Sequence, residues 1–262
     1  MQKVSEIKYI FEQLNINHQL TADMSVVTQL EEVVNEYKDD SRKAVQNLIE
    51  KYNKKRDAYL QEIERTKAMQ QFEKQYDNYQ YICGIDEVGR GPLAGPVVAC
   101  SVILPKNCDI LYINDSKKLS EEKRELLYEL ICEKAISIGI GIVGPDVIDE
   151  INILQATYKA MRMAISKLTV KPEVLLNDAV TIPEVEQLQV PIIKGDTKSI
   201  SIAAASIVAK VTRDRMMKEY DALFPEYSFA SNKGYGSKEH IDALKKIGAC
   251  AIHRNTFIKN FL

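Results

Sequence analysis

The chain has 262 residues, of which 45% are hydrophobic and 27% are charged, and its net charge at pH 7 is −2. It is long enough for one large domain or two smaller ones, and its near-neutral charge gives no overall indication of nucleic-acid binding. No apolar run approaches the roughly 18 residues that span a bilayer, and the N-terminus lacks the apolar core of a signal peptide, so we expect a cytoplasmic protein with no membrane partner.

The cysteines also indicate a reducing compartment. There are five of them, an odd number, and none has the Cys-x-x-Cys spacing of a redox pair. Cys250 and His253 have a spacing that metal ligands use, but no second pair lies nearby in the sequence. We therefore interpret Cys250 as a core residue.

The first part of the chain, residues 1–76, contains no Gly or Pro and is rich in Glu, Lys and Gln, a composition typical of helices. Apolar residues recur with helical spacing, which predicts helices at 4–14 and 25–37 and a long helix that begins near Asp40. We expect a helical N-terminal unit over 1–76 and a second domain over 77–262. The long helix carries a basic cluster, which indicates either a solvated face or a set of phosphate contacts: Lys51, Lys54, Lys55 and Arg56.

From Tyr81 onward the pattern changes to alternating strands and helices. Strands are predicted at 81–85, 96–104, 135–143, 174–176 and 190–193, and helices at 145–168 and 199–224. The Gly- and Pro-rich link between the first two strands is short enough for an antiparallel pair. The pattern indicates an α/β domain followed by a C-terminal helical region.

Three of the apolar runs end in acidic residues. Asp86 and Glu87 follow the first, Asp178 follows the fourth, and Asp196 comes shortly after the fifth. If these strands are neighbours, the four carboxylates converge, and such a cluster needs cations to offset its repulsion. Mg²⁺ or Mn²⁺ would fit, since hard ions prefer oxygen ligands and two of them can drive phosphodiester displacement. Three unrelated strand-end acids remain an equally good interpretation of the spacing alone.

Regular strand geometry raises an objection, because neighbouring residues point to opposite faces of a sheet. Asp86 and Glu87 can share one site only if the strand ends or bulges there. Gly89 and Gly91 permit such a break.

Six ordered blocks over about residues 80–262 resemble bacterial ribonuclease HII: ICGIDEVGRGPLAGPVVACSVIL, NDSKKLS, LLNDAV, KGDTKSISIAAASIVAKVTRDR, KGYGSKEH and AIHRNTF. The resemblance implies a ribonuclease H-like fold, with a mixed five-stranded sheet flanked by helices and a C-terminal helical extension. It also implies metal-dependent endonucleolytic cleavage of the RNA strand in RNA–DNA hybrids, and cleavage 5′ of a single ribonucleotide in duplex DNA. The intact Gly-Arg-Gly and the helical N-terminal region disfavour ribonuclease HIII.

The resemblance also assigns roles to residues. It implies that Asp86, Glu87, Asp178 and Asp196 bind the metal ions, and the Asn before Asp178, where the family more often has Val, leaves that role intact. The matching Gly89, Arg90 and Gly91 would recognise the 2′-hydroxyl that distinguishes RNA from DNA, and Tyr235 would stack on the deoxyribose that follows. Arg90 has the alternative role of a salt-bridge partner. Four lysines are candidate phosphate contacts: Lys117, Lys118, Lys194 and Lys198.

Other polar residues are predicted to have structural or surface roles. None of the histidines, His18, His240 and His253, lies beside the acids in the sequence, so we expect metal-activated water and not a histidine base. Arg213, Asp214 and Arg215 are predicted to stabilise their helix. The charge is unevenly distributed along the second domain. Residues 191–262 hold 12 Lys and Arg against 7 Asp and Glu, whereas residues 81–190 hold 11 Lys and Arg against 16 Asp and Glu. A basic segment beside an acidic one suits phosphate contacts around an acidic centre.

Two other classes stay open. A ribonuclease H-like protein that binds nucleic acid without turnover would lack one of the four acids, and all four are present. A metal-dependent phosphotransferase or exonuclease shares the metal chemistry, but Gly-Arg-Gly and Tyr235 argue against it. The expected partners are RNA–DNA hybrids and ribonucleotide-containing DNA, with the protein acting as a monomer.

Overall fold

The computed structural model describes residues 2–16 and 19–262, so His18 lies outside the described residues. Contacts within the chain define two compact units. The first consists of Met1–Ala68 and Asp109–Tyr112, and the second consists of Met69–Cys108 and Ile113–Leu262. The second unit therefore begins inside the segment that composition assigns to the N-terminal extension.

The first unit is built on three helices: α1 (Val4–Gln13), α2 (Met24–Tyr37) and α3 (Lys43–Ala68). Their apolar stripes pack into one core, and Leu111 from the inserted segment joins it. The Tyr59 hydroxyl fixes the chain before α2, since it donates to the Thr21 carbonyl (2.9 Å) and accepts from the Asp23 N–H (2.8 Å). Three helices are therefore present where the sequence predicts them.

The second unit contains one mixed sheet whose strand order is β3-β2-β1-β4-β5. Its strands are β1 (Ile82–Val88), β2 (Val97–Ile103), β3 (Ser137–Val143), β4 (Val174–Asp178) and β5 (Leu188–Ile192). The β1–β2 and β2–β3 pairs are antiparallel, whereas β1–β4 and β4–β5 are parallel. This confirms the predicted mixed five-stranded sheet.

Helices cover both faces of the sheet: α4 (Gln71–Gln75), α5 (Glu121–Lys134), α6 (Pro145–Ser166) and α7 (Ile200–Leu223) belong to the unit, and α6 and α7 make its main sheet contacts. The approach of α7 to β1 is close. A Cβ on Gly84 would lie 2.0 Å from the backbone carbon of Ser201, so only glycine fits there. The C-terminal region adds α8 (Phe229–Asn232), α9 (Lys238–Ile247) and α10 (Asn255–Ile258).

Two elements differ from the prediction. β1 continues to Val88, because its ladder with β2 runs past the acids. α6 is predicted as continuous but breaks at Asn152, whose φ of 65° is left-handed and whose side chain caps the next turn by accepting from the Leu154 N–H (3.0 Å) and the Gln155 N–H (3.1 Å). Among the described helices, none combines the length and the apolar character needed to cross a bilayer.

Candidate active site

The parallel pairing of β1 with β4 brings two of the predicted acids together. Ile85 is paired with Asn177, so the next residues of the two strands, Asp86 and Asp178, lie at neighbouring positions in the same register. Side chains alternate between the faces of a strand, and Gly84, two residues before Asp86, faces α7. Asp86 therefore projects toward α7, and Ser206 of that helix lowers the pKa of its carboxyl against the dominant effect of burial.

Asp86 is almost completely buried, with 7% of its surface exposed. It accepts a hydrogen bond from the Glu87 N–H (2.8 Å). Ser206, whose hydroxyl lies 3.0 Å from that of Ser116, lowers the pKa of the Asp86 carboxyl. Burial is the main cause that raises the pKa of the Asp86 carboxyl well above its ordinary value, and the charges of Glu87 and Asp178 raise it further. Negative charge on Asp86 is thus unfavourable until a cation compensates for it.

Glu87 lies inside β1, and the ladder with β2 shows no bulge there: Asp86, Glu87 and Val88 pair with consecutive residues. The strand neither ends nor bulges at the two acids, because β1 continues to Val88, one residue after Glu87 and directly before Gly89 with its φ of +88°. Although it leaves the opposite face from Asp86, Glu87 still interacts with Asp178. Burial raises the pKa of Glu87. Arg90 acts against this effect and lowers the pKa, since its Nη1 lies 3.3 Å from Oε1 of Glu87.

Asp178 and Asp196 are held together by the turn that follows β5. The Gly195 N–H donates to Oδ1 of Asp178 (2.7 Å), and Gly195 starts the 3-10 turn that carries Asp196. Burial, Asp115 and Asp178, in that order, raise the pKa of the Asp196 carboxyl. Asp178 therefore acts electrostatically on each of the other three acids.

The donor chemistry of this cluster fits a hard divalent cation: four carboxylates, three with pKa values raised by burial. Across residues 2–16 and 19–262, however, no three His, Cys, Asp or Glu side chains are arranged around one ion position. One oxygen of Asp178 is occupied by Gly195, and Glu87 is paired with Arg90. The carboxylates are adjacent, and joint binding of an ion requires their side chains to turn toward it.

The predicted substrate residues lie at the end of β1. A Cβ on Gly91 would be 3.9 Å from Cε1 of Tyr235, so the Gly-Arg-Gly turn adjoins the tyrosine ring. Tyr235 is 42% exposed, as a stacking platform requires. The structure also contains the alternative role of Arg90, its ion pair with Glu87.

The candidate lysines divide into two pairs. Lys117 and Lys118 form a 3-10 turn whose preceding Asp115 accepts the Lys117 N–H, and both lower the pKa of Asp196 against the dominant effect of burial. Lys194 and Lys198 are exposed on either side of the turn that carries Asp196. The structure thus brings positive side chains to the edge of the acidic cluster.

The two described histidines, His240 and His253, are interior residues, with their Nε2 atoms 2.9 Å apart. Arg213 differs from the prediction, since it hydrogen-bonds backbone carbonyls outside its own helix. Asp214 does stabilise the helix, through Lys210 one turn earlier, and Arg215 pairs with glutamates of α5.

Sequence reasoning missed three residues that support the site. Asp115 precedes the lysines in NDSKKLS and acts on Asp196. Ser206 lies in the Ala-rich start of α7, where a lone hydroxyl among small apolar residues was the available signal. Arg254 hydrogen-bonds the backbone of Gly89 and Arg90. Its place after Ile-His in AIHRNTF gives no local indication of that contact.

Comparison with known proteins shows what this arrangement resembles. The crystal structure of ribonuclease H2 from Pyrococcus horikoshii OT3 superimposes with a TM-score of 0.58 at 27% identity, covering 70% of this chain and 97% of that one. A curated Ribonuclease HII of Lachnoclostridium phytofermentans is 65% identical over 87% of this chain and 90% of its own length. Another curated Ribonuclease HII, from Clostridioides difficile, is 52% identical over 99% of this chain and 98% of its own length.

The sheet order and the structural likeness define a nuclease with a ribonuclease H-like fold. The family model Ribonuclease HII matches residues 83–260, and the model Ribonuclease HII N-terminal domain matches residues 3–77. The chain belongs to the ribonuclease HII family and is an endonuclease of the ribonuclease H type. This family depends on divalent metal ions.

Proposed function

We propose that this protein hydrolyses the RNA strand of RNA–DNA hybrids and cuts duplex DNA on the 5′ side of a single embedded ribonucleotide, by two-metal-ion catalysis that leaves 5′-phosphate and 3′-hydroxyl ends. The observation that carries the proposal is the in-step position of Asp86 and Asp178 on adjacent strands, beside a Gly-Arg-Gly turn that adjoins Tyr235. Acids for metal binding and groups for ribose recognition therefore share one end of the sheet.

The residues that would hold the ions, Mg²⁺ or Mn²⁺, are Asp86, Glu87, Asp178 and Asp196. When bound, such ions activate a water molecule and stabilise the leaving oxygen in phosphodiester displacement. The chain's own contribution is to hold negative charge where burial and repulsion disfavour it, since the pKa of Asp86 is raised by both. Ser206 lowers the pKa of Asp86 and so favours its charged form.

Substrate selection belongs to the turn after β1. Gly89 and Gly91, on either side of Arg90, allow the backbone to approach the ribose. The peptide N–H groups of this segment can then donate hydrogen bonds to the 2′-hydroxyl. Tyr235 would stack on the next sugar and thereby recognise the junction between RNA and DNA. Lys117 and Lys194, at the edge of the acids, would bind phosphates.

The cellular role that follows is removal of ribonucleotides from DNA, including ribonucleotide excision repair. The five cysteines are all free thiols, which supports a reducing compartment, the cytoplasm. All the proposed site residues lie in one compact unit of one chain, which supports a monomer.

The test uses a DNA duplex with one internal ribonucleotide, incubated with Mg²⁺ or Mn²⁺ and mapped for the position of the cut. We expect a single cut on the 5′ side of the ribonucleotide, with no cut in the all-DNA duplex and none when EDTA is present. Cleavage of all-DNA duplex, or stepwise removal of nucleotides from an end, would assign the metal chemistry to an exonuclease or another phosphodiesterase.

A further inference from the structure

Two arginines of the second unit are completely buried, Arg213 of α7 and Arg254 at the start of α10. A buried guanidinium is costly unless it is paired or hydrogen-bonded. Neither one forms an ion pair within 4 Å with a carboxylate of the described residues. Each instead donates three hydrogen bonds to backbone carbonyls, so the two buried guanidinium groups hold the backbone of loops in place.

The two arginines hold different carbonyls. Arg254 donates from Nη2 to Gly89 (2.5 Å), from Nη1 to Arg90 (2.9 Å) and from Nε to Gly95 (2.9 Å). The acceptors of Arg213 are Ala94, Pro96 and Lys233, at 2.8–3.0 Å. Only Arg254 therefore holds the carbonyls of the Gly-Arg-Gly turn itself.

This contact determines where the N–H groups of the turn point. The peptide bonds described are all trans, and in a trans peptide the C=O and N–H point in opposite directions. With the carbonyls of Gly89 and Arg90 turned inward to Arg254, the N–H groups of the same two peptides, those of Arg90 and Gly91, face away from the interior. Neither N–H donates to another described residue.

We infer that Arg254 is a positioning residue for recognition of the 2′-hydroxyl: its fork of donors holds two carbonyls inward and so presents the N–H groups of Arg90 and Gly91 to the ribose. The inference rests on the proposed function, because it gives these N–H groups the ribose of that substrate as their partner. Arg254 itself does not touch the substrate.

Arg254→Lys tests the inference, because lysine keeps the charge but lacks the planar fork that serves several carbonyls at once. Arg213→Lys is the matched control, since Arg213 is equally buried and also donates three carbonyl bonds, none of them to Gly89 or Arg90. The measurement is the ratio of dissociation constants for all-DNA duplex and for the same duplex with one ribonucleotide, in EDTA to prevent cleavage. Thermal unfolding of each variant is recorded alongside.

We expect the wild-type chain to prefer the ribonucleotide duplex, and Arg254→Lys to lose about tenfold of that preference, as the loss of two oriented donors implies. Arg213→Lys should keep the preference despite a similar loss of stability. If both variants keep the preference, or both lose it equally, Arg254 has only a structural role. If the wild-type chain itself shows no preference, the proposed function fails first and the inference with it.

Hydrogen exchange on the wild-type chain keeps the inference testable if Arg254→Lys does not fold. The amides of Arg90 and Gly91 should exchange quickly in the free protein. The ribonucleotide duplex should slow their exchange at least tenfold more than the all-DNA duplex does. Slow exchange in the free protein, or equal protection by the two duplexes, would overturn the inference.

Discussion

Asp86 combines a proposed metal-binding role with an unfavourable environment for its own charge. Burial is the main cause of its raised pKa, and Glu87 and Asp178 add repulsion. Replacing it with Asn removes one charge from this cluster and one oxygen ligand from the proposed metal site. We expect Asp86→Asn to lower the cleavage rate by at least about 100-fold while duplex binding persists, and to leave the metal-free protein as stable as the wild type or more so.

The measurement pairs single-turnover cleavage with urea unfolding in EDTA. Asp149→Asn provides the comparison, because the Asp149 carboxylate caps α10 by accepting from the Asn255 N–H (2.7 Å) and the Thr256 N–H (2.9 Å). That variant should lose about 1 kcal/mol of stability and keep its cleavage rate within a few-fold. Near-normal turnover by Asp86→Asn in saturating Mg²⁺ would remove Asp86 from the active site.

Asn177 precedes Asp178 in β4 and is completely buried. Its Nδ2 donates to Oε1 of Gln189 (2.9 Å), but its Oδ1 has no hydrogen-bond partner among the described residues. The Gln189 oxygen keeps a second donor, the Ile182 N–H (2.7 Å), so it stays satisfied without Asn177. We expect Asn177→Val to raise the free energy of unfolding by about 1 kcal/mol, because it removes an unsatisfied buried oxygen. Lower stability in urea unfolding would show that the bond to Gln189 outweighs that cost.

Among individual residues, the sequence reveals the acids more readily than the residues that support them. Asp86 and Asp178 are predictable because each follows a short apolar run of the length typical of a buried strand. Arg254 is not, because arginine ordinarily indicates surface and its partners lie 159–165 residues away in the chain. Contacts at such separation leave no local pattern.

The packing of α6 on β3 depends on two glycines in the strand. A Cβ on Gly141 would lie 1.8 Å from the Ala160 carbonyl oxygen, and one on Gly139 would lie 2.0 Å from that of Ala164. Backbone cannot move aside as a flexible side chain does. We therefore expect Gly141→Ala to cost about 3 kcal/mol or more, since helix and strand must separate.

Gly144, at the N-cap of α6, is the control for this substitution. Its position has open space within 4 Å, and its φ of −74° suits any residue. Gly144→Ala should cost no more than about 1 kcal/mol, the usual loss at an N-cap. Comparison of the two urea midpoints checks the prediction, and equal losses would contradict the close approach of α6 to β3.

The C-terminal helices contain a chain of hydrogen bonds through two buried histidines. The Cys250 N–H donates to Nδ1 of His253 (2.9 Å), so the proton of neutral His253 is on Nε2, which faces Nε2 of His240. His240 then donates from Nδ1 to the Tyr235 carbonyl (2.9 Å). Each neutral ring needs one proton for this chain. A second proton would turn an acceptor nitrogen into a donor that faces another donor, the Cys250 N–H in the case of His253 and Nε2–H of His253 in the case of His240.

Acid should therefore weaken this region. Burial, aided by the His240 charge, lowers the pKa of His253 to about 4, below the ordinary value of about 6.5 in the unfolded chain. The contribution to stability is complete above pH 6.5 and is lost as the pH falls toward 4, because the unfolded chain then binds more protons. Between pH 7.5 and 5, we expect His253→Gln to lose about 2 kcal/mol less stability than the wild type.

Glutamine keeps a donor in the place of Nε2 but does not titrate, so the variant isolates the proton from the hydrogen bond. Urea unfolding of both proteins at the two pH values gives the comparison. The raised pKa values of Asp86 and Glu87 increase the stability of the folded protein as the pH falls. This effect is the same in the wild type and the variant, so it cancels in the comparison. Identical losses on acidification would show that His253 is protonated as easily in the folded protein as in the unfolded chain.

At the element scale, periodicity predicts which elements exist better than where they end. The strand β1 was expected to stop at Ile85, but pairing with β2 carries it to Val88, and that pairing partner is not visible in the strand's own pattern. In α6 the helical pattern continues through Asn152, whose left-handed φ interrupts it. Both differences come from backbone contacts that composition does not encode.

For the whole molecule, the segment that joins the two predicted domains belongs to the second unit. Glu73 of α4 accepts from the Ser199 hydroxyl (2.6 Å) and the Ser201 N–H (3.0 Å), and so caps α7. The Ile200 N–H donates to the Met69 carbonyl (3.0 Å). A truncation that follows the compositional boundary near Asn78 therefore removes groups that stabilise the catalytic unit.

Two truncated chains separate stability from function, one starting at Met69 and one at Asn78. Both should carry Leu111→Gln, because Leu111 is buried in the core of the first unit and would otherwise be exposed. We expect the longer chain to be more stable by about 1–3 kcal/mol in urea, since it keeps the Glu73 cap. Equal stability would show that Glu73 contributes little, and Glu73→Gln in the full chain checks this independently.

The same truncated chains test whether residues 1–68 contribute to duplex affinity. Of the four basic residues in the cluster on α3, Lys54 pairs with Glu50 (2.6 Å) and Arg56 with Asp57 (2.9 Å), so half of the cluster is already neutralised. Each phosphate contact contributes about 0.9 to the slope of log K against log salt, so loss of the first unit should make that slope shallower by about 1–2 rather than 4. The cut position and metal dependence should not change, because none of the four acids lies in that unit. If the chain starting at Met69 binds hybrid duplex as tightly as the full chain at every salt concentration, the helical unit is not a nucleic-acid-binding module.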